Sequence, residues 1–136
     1  MIRRLVRPVV RFANWALGPP APGLDLFFGV VAAGWAAIAA LDPDTFATPA
    51  WRFVARVPAH ALALALAGLA VAHLVAALRP ARAGLRLGAL LVAAFVWLFV
   101  GFSLVPATAW TGVTMYCLMG LACLVTAVYA ETERLL

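Results

Sequence analysis

Charged side chains are scarce in this chain of 136 residues. They make up only 11% of it, while 67% of the residues are hydrophobic; a soluble domain has about 25% charged and about 45–50% apolar residues. A soluble fold needs polar side chains to cover its surface, whereas a bilayer accepts an apolar exterior. The shortage therefore argues against an ordinary soluble domain and indicates an integral membrane protein.

Lysine is absent, and all ten basic residues are arginines. Most of these arginines lie at the ends of apolar runs, where they set membrane topology. A nucleic-acid site needs instead a solvated basic patch with polar or aromatic residues between the charges. Nucleic acid is therefore not an expected partner, and the expected contacts are the lipid bilayer and its anionic headgroups.

Carboxylates are also few, and all five lie at or beyond the ends of the apolar runs. A proton- or cation-coupled carrier normally needs an acid near the bilayer midplane, so this class of transporter is disfavoured. The sequence has no Ser-His-Asp set, carboxylate pair, phosphate loop or metal-ligand cluster. We therefore expect a protein that is not an enzyme, without catalytic, cofactor or metal site. The acids are Asp25, Asp42, Asp44, Glu131 and Glu133.

Two cysteines lie in one apolar run. Cys117 and Cys123 are six residues apart, which places them on different faces of a helix, so neither a local disulfide nor a shared metal is expected. Both are predicted to be small apolar packing residues.

Four apolar runs cover residues 24–41, 57–78, 85–105 and 109–130. Each is close to the ~20 residues that cross a bilayer as a helix. The sequence thus predicts an all-α polytopic membrane protein, with four transmembrane helices in a bundle over residues 24–136.

The first 23 residues are predicted to form a separate interfacial segment. Arg3, Arg7 and Arg11 recur every four residues opposite apolar positions, which is typical of an amphipathic helix on the membrane surface. A disordered basic tail is the alternative. The Pro/Gly-rich stretch 18–23 ends this segment, which is expected to remain uncleaved.

Arginines are unevenly distributed between the connections. The N-terminal segment and the loop after the second run are arginine-rich, the first loop carries two aspartates and two arginines, and the third loop has no charge. The positive-inside rule then predicts a bacterial inner-membrane protein with both termini cytoplasmic. The residues expected at the membrane surface to set this topology are Arg3, Arg4, Arg7, Arg11, Arg79, Arg82 and Arg86.

The first loop, residues 42–56, is the one connection with room for structure. Asp42-Pro43-Asp44 is typical of a turn, and Thr48-Pro49 of a helix start. A short helix through Trp51, Phe53 and Val54 is predicted. It is interpreted as an interfacial spacer or, alternatively, as a docking surface for a partner.

Both histidines, His60 and His73, fall in the second run. Histidine inside a membrane is a candidate functional residue, and haem ligation is one possibility. Thirteen residues on a helix correspond to about 20 Å of rise, so the two cannot bracket one haem. The sequence favours polar anchors near the two ends of the helix, with imidazoles reaching water or headgroups, and keeps both as weak candidates.

Small residues recur at helical spacing in the first two runs. Such stripes let helix backbones approach closely, and packing within the bundle is favoured over packing between copies. The predicted packing residues are Gly29, Ala33, Ala37, Ala61, Ala65, Gly68, Ala72 and Ala76.

Several short motifs resemble those of a loosely defined group of small four-span membrane proteins encoded by tailed phages and prophages. The likeness covers about residues 24–130 and implies a phage-encoded protein of the host inner membrane, with no particular activity. The stretch Leu78-Arg79-Pro80 departs from the polar, basic segment usual there. The motifs are Pro43-Asp44-Thr45-Phe46, Thr48-Pro49-Ala50-Trp51-Arg52, Arg86-Leu87-Gly88-Ala89, Trp97, Thr111-Gly112 and Tyr116.

Three functions follow as hypotheses. The first is a holin-like or host-envelope-modifying phage protein that acts by self-association. The second is an accessory or structural subunit of a larger membrane complex. The third is a passive channel or small transporter, since neutral pores need no buried carboxylate.

Overall fold

The computed structural model describes residues 22–79 and 83–135, with the side chains of residues 133–135 excepted. The described residues form four long helices: α1 (Pro22–Leu41), α2 (Ala59–Leu78), α3 (Ala83–Ser103) and α4 (Trp110–Leu135). No β-strand occurs among them. The predicted N-terminal interfacial helix lies outside the described residues.

All four helices are long and apolar enough to cross a membrane, over Pro22–Leu41, Ala59–Leu78, Ala83–Ala107 and Trp110–Thr132. The prediction of an all-helical protein with four candidate spans is therefore confirmed. Large apolar side chains such as Leu64, Phe95 and Val125 are about 70% exposed. A soluble monomer rarely leaves so much apolar surface uncovered, which is the pattern of a multi-pass membrane protein.

Prolines determine where several helices begin and end. Pro22 opens α1, where its missing N–H costs nothing. α1 ends at Leu41 and α2 ends at Leu78. In each case the next residue stands directly before a proline, and proline disfavours the α conformation of the residue before it. The two predecessors, Asp42 and Arg79, accordingly have φ of −138° and −131°.

The helices pack as two antiparallel hairpins, α1–α2 and α3–α4, joined mainly along α2 and α3. Their shared core contains Phe28 from α1, Leu69 from α2, Leu90 and Trp97 from α3, and Cys123 from α4. Leu90 and Cys123 are fully buried, and Trp97 is 1% exposed. The centre of the bundle is thus filled by side chains.

Glycines bring α3 and α4 into close contact. A Cβ atom on Gly101 would lie 2.8 Å from Cys117 Sγ and 3.1 Å from the Cys117 amide nitrogen. One on Gly120 would lie 2.6 Å from Leu98 Cγ. Both positions therefore need a residue without a side chain, and neither was among the predicted packing residues.

The first loop folds over one end of the bundle, which we call the loop end. Instead of the predicted single helix it forms three short 3-10 helices, at Pro43–Ala47, Pro49–Trp51 and Val54–Arg56. Phe46 and Val54 are buried beneath it. Thr48 precedes the second 3-10 helix as predicted, although its side chain makes no capping hydrogen bond.

An aromatic cluster attaches this loop to the helices. Trp35 of α1 contacts Phe46 and Trp51 at centroid distances of 5.7 and 5.4 Å. Trp35 also lies 5.7 Å from Tyr116 of α4, which stacks on Trp97 of α3 at 5.9 Å. Edge-on and offset aromatic pairs of this kind stabilise by roughly 0.5–1.5 kcal/mol each beyond their buried area.

Candidate functional site

A buried polar network joins three helices at the end of the bundle opposite the loop. Asp25 lies in the first turn of α1, Arg86 in the first turn of α3, and His73 five residues before the end of α2. Because successive helices run antiparallel, these three positions meet at one end. We call Asp25, His73 and Arg86 the polar triad.

Asp25 is at the centre of the polar triad. Its Oδ2 atom lies 2.7 Å from Nε of Arg86, and its Oδ1 atom lies 3.3 Å from Nδ1 of His73. The side chains of Asp25 and His73 are completely buried, and that of Arg86 is 4% exposed. The network therefore contains an ion pair that is shielded from solvent.

The hydrogen bond between His73 and Asp25 has a defined direction when the carboxyl group is ionised. The Asp25 carboxylate can only accept, so Nδ1 of His73 carries the proton and donates it. In the neutral imidazole Nε2 is then a bare acceptor, and Nε2 has no hydrogen-bond partner among the described residues. The opposite charges of Asp25 and Arg86 offset each other, which lowers the cost of burying the pair.

Close backbone packing positions His73 against α1. Gly29 lies one turn after Asp25, and a Cβ atom there would be 3.3 Å from Cβ of His73 and 3.4 Å from the carbonyl oxygen of Ala70. The ring of Phe28 covers the imidazole at a centroid distance of 5.8 Å. A side chain at Gly29 would therefore crowd His73 and the backbone of α2 where the two helices meet.

The structure corrects two sequence-based expectations at this site. Arg86 was expected at the membrane surface and His73 was expected to reach water or headgroups, whereas Asp25 lies at a helix end as expected. Each lies only one or two turns from a helix end, but each points into the bundle, where pairing removes the need for water. Arg86 in particular is an interior ion-pair residue and does not act as a surface charge.

Other candidate residues are placed differently. His60 is exposed in the first turn of α2 at the loop end, far along the helix from His73. Arg79 is exposed at the end of α2. The topology residues Arg3, Arg4, Arg7, Arg11 and Arg82 lie outside the described residues.

Most of the predicted small-residue stripe of α2 does not pack inside the bundle. Ala65 and Gly68 are exposed, and Ala61 and Ala72 are only partly covered. Only Ala76 is buried, and on α1 both Ala33 and Ala37 are exposed. The reason is that larger side chains fill the interface: the buried face of α2 is Leu66, Leu69, His73 and Ala76.

A periodicity signal for the polar triad was present in the sequence. His73 continues the Leu66–Leu69 stripe at spacings of three and four residues, and Arg86 similarly precedes Leu90, Ala93 and Trp97. A polar residue in register with an apolar stripe shares the buried face of its helix. Which residue it meets there depends on how the helices are arranged.

The polar triad connects α1, α2 and α3 through one ion pair and one hydrogen bond. Cys123 is buried in the adjoining core, but no hydrogen bond in the described part of the chain links its thiol to His73. Within residues 22–79 and 83–135, no group of three or more potential metal ligands occurs.

Searches of protein-family models, curated proteins and solved structures find no match to the chain. The resemblance to phage membrane proteins thus stays a prediction.

Proposed function

We propose that this chain is a non-enzymatic structural or accessory subunit of a larger assembly in the bacterial inner membrane. The observation that carries the proposal is the filled and clamped interior of the four-helix bundle. Trp97, Leu90 and Phe28 occupy its centre, and the polar triad joins three of its helices. Because its interior is filled with side chains, such a bundle would contact other molecules through its outer surface.

The distribution of arginines supports an orientation with both termini in the cytoplasm. Arg86 is neutralised inside the bundle and no longer counts as a loop charge. Four arginines before residue 22, together with Arg79 and Arg82, still exceed Arg52 and Arg56 at the loop end, where Asp42 and Asp44 offset them. The end with the polar triad therefore faces the cytoplasm under the positive-inside rule.

A groove on the outside of the α1–α2 hairpin is the proposed contact surface. It has a volume of about 290 Å³ and a floor of small residues, Gly29, Ala33 and Ala70, between the walls Val30 and Val71. Small residues at such a surface let another helix approach closely, which favours association within a membrane.

Site-specific photo-crosslinking in living cells tests this proposal. A photoreactive amino acid replaces Val30 or Val71 in the groove, which are 67% and 59% exposed, and Val92 on the lipid-facing side of α3, 54% exposed, serves as the matched control. One crosslinked partner of defined mass at both groove positions and not at Val92 is the expected result. Equal labelling at all three positions, or lipid labelling alone, refutes the proposal.

A holin-like role is the second candidate, and the same small-residue groove favours it if the partner is another copy. Crosslinking would then give a ladder of homo-oligomers, and induced expression would collapse the membrane potential. A phage origin, or a passive channel formed by several copies, belongs to this candidate. Stable potential and growth at high expression would exclude it.

A further inference from the structure

The loop end carries a second surface feature: an apolar groove between α1 and α2, with two exposed arginines in the loop segment that precedes α2. We infer that this end of the α1–α2 hairpin binds a phospholipid with an anionic headgroup. Arg52 and Arg56 would hold the phosphate, and the groove would hold part of an acyl chain. This site is separate from the proposed contact groove and does not depend on the subunit role.

A single aromatic ring supports both arginines. The guanidinium carbon of Arg52 lies 4.9 Å from the centroid of Phe53, and that of Arg56 lies 5.3 Å from it. Cation–π contacts at these distances hold guanidinium groups in place while their N–H donors stay available. Both arginine side chains belong to exposed residues.

The two positive charges have no acidic partner in the part of the chain that the structure describes. Asp42 instead accepts a hydrogen bond of 2.7 Å from the Thr45 hydroxyl, and Asp44 forms no ion pair with either arginine. Two like charges in one short segment repel each other, and an anion bound by both would offset that repulsion. Phosphate oxygens match the planar donor arrangement of guanidinium groups.

The groove reaches α2 at Ala59, three residues after Arg56 along the chain. Pro43, Ala59 and His60 form its rim, and Ala39, Ala40, Ala63 and Leu64 continue it along α1 and α2; its volume is about 530 Å³. Apart from the exposed His60, the lining is apolar. Two arginines in the loop that leads into α2, followed by an apolar groove along α1 and α2, give the order of polarity of one phospholipid molecule.

A second copy of the chain is the competing occupant. In a parallel pair of copies, Asp42 and Asp44 of one copy would lie at the same depth as Arg52 and Arg56 of the other. The charges would then be paired within a protein dimer, and dimer formation would not depend on the lipid class. The phospholipid is favoured because it satisfies the two arginines and the groove together.

Native mass spectrometry of the detergent-purified full-length protein tests the inference. Delipidated protein is titrated with phosphatidylglycerol and, separately, with zwitterionic phosphatidylethanolamine. We expect retained phosphatidylglycerol adducts, and a fall in apparent affinity on the order of tenfold or more for the Arg52→Gln/Arg56→Gln double variant. The Arg79→Gln variant, which removes an exposed arginine at the opposite end, should bind like the wild type.

Two further variants separate the parts of the site. Phe53→Leu keeps both charges but removes their support, and Ala63→Leu fills the groove without changing charge; each should weaken phosphatidylglycerol binding. Near-ultraviolet circular dichroism verifies that each variant remains folded. Equal binding of both lipids, a loss in Arg79→Gln as large as in the double variant, or lipid-independent dimers abolished by the double variant would overturn the inference.

Discussion

Replacing Arg86 by methionine leaves the Asp25 carboxylate buried beside His73 without the cation that neutralises it. Asp25 is completely buried and its Oδ2 atom lies 2.7 Å from Arg86 Nε in the native protein. Breaking a buried ion pair by removing one partner costs about 3–5 kcal/mol, because the remaining charge is desolvated without compensation.

Because the ion pair lies near the start of α1, we expect the cost of breaking it to fall at the lower end of about 3–5 kcal/mol. Asp25 is three residues after Pro22, the first residue of α1, which corresponds to a rise of about 4.5 Å. Slight fraying of this turn would let headgroup water reach the carboxylate. We therefore expect Arg86→Met to lower the free energy of unfolding by about 3 kcal/mol, and Asp25→Asn to lower it by a similar amount, since it leaves Arg86 uncompensated.

The double variant Asp25→Asn/Arg86→Met is the decisive measurement. The asparagine amide oxygen can still accept the proton of His73 Nδ1, so the ion pair is removed while the hydrogen bond is kept. Removing both charges of a buried pair is often nearly neutral. We expect the double variant to lie within about 1 kcal/mol of the wild type, which is a strongly non-additive result.

Reversible unfolding in mixed micelles, titrated with a denaturing detergent and followed by tryptophan fluorescence, measures these free energies. Arg79→Met at the same end of the bundle is the matched control, and its exposed side chain predicts no measurable change. Additive single effects, or an Arg86→Met variant as stable as the wild type, would show that the polar triad does not act as a clamp.

Two further predictions concern packing. Gly101→Ala should destabilise the protein by about 1–3 kcal/mol through overpacking, because the added methyl group would meet Cys117 Sγ at 2.8 Å and its amide nitrogen at 3.1 Å. Gly88→Ala is the control in the same unfolding assay. A methyl group at Gly88 would have nothing within 4 Å, so this variant should be as stable as the wild type or slightly more stable. Trp97→Ala should cost about 3–5 kcal/mol by leaving a cavity, since Trp97 is 1% exposed, and it should also remove the stacking partner of Tyr116, which near-ultraviolet circular dichroism detects.

The amino-acid sequence alone was sufficient for the number and type of the helices. Apolar runs of spanning length have one stable form in a bilayer, because each backbone group must be bonded within its own helix. Helix ends were also predictable within a few residues, since Pro43 and Pro80 act on the residue immediately before them. The closed loop end is different: its 3-10 turns follow from packing of Phe46 and Trp51 on Trp35, which is a long-range contact.

The polar triad required the tertiary structure. Asp25, His73 and Arg86 are separated by 48 and 13 residues along the chain, and each alone resembles a residue at a membrane surface. Hydropathy describes how apolar a segment is but not which neighbour its one polar residue meets. Only the arrangement of α1, α2 and α3, with Gly29 allowing close approach, turns three separate polar residues at helix ends into one buried network.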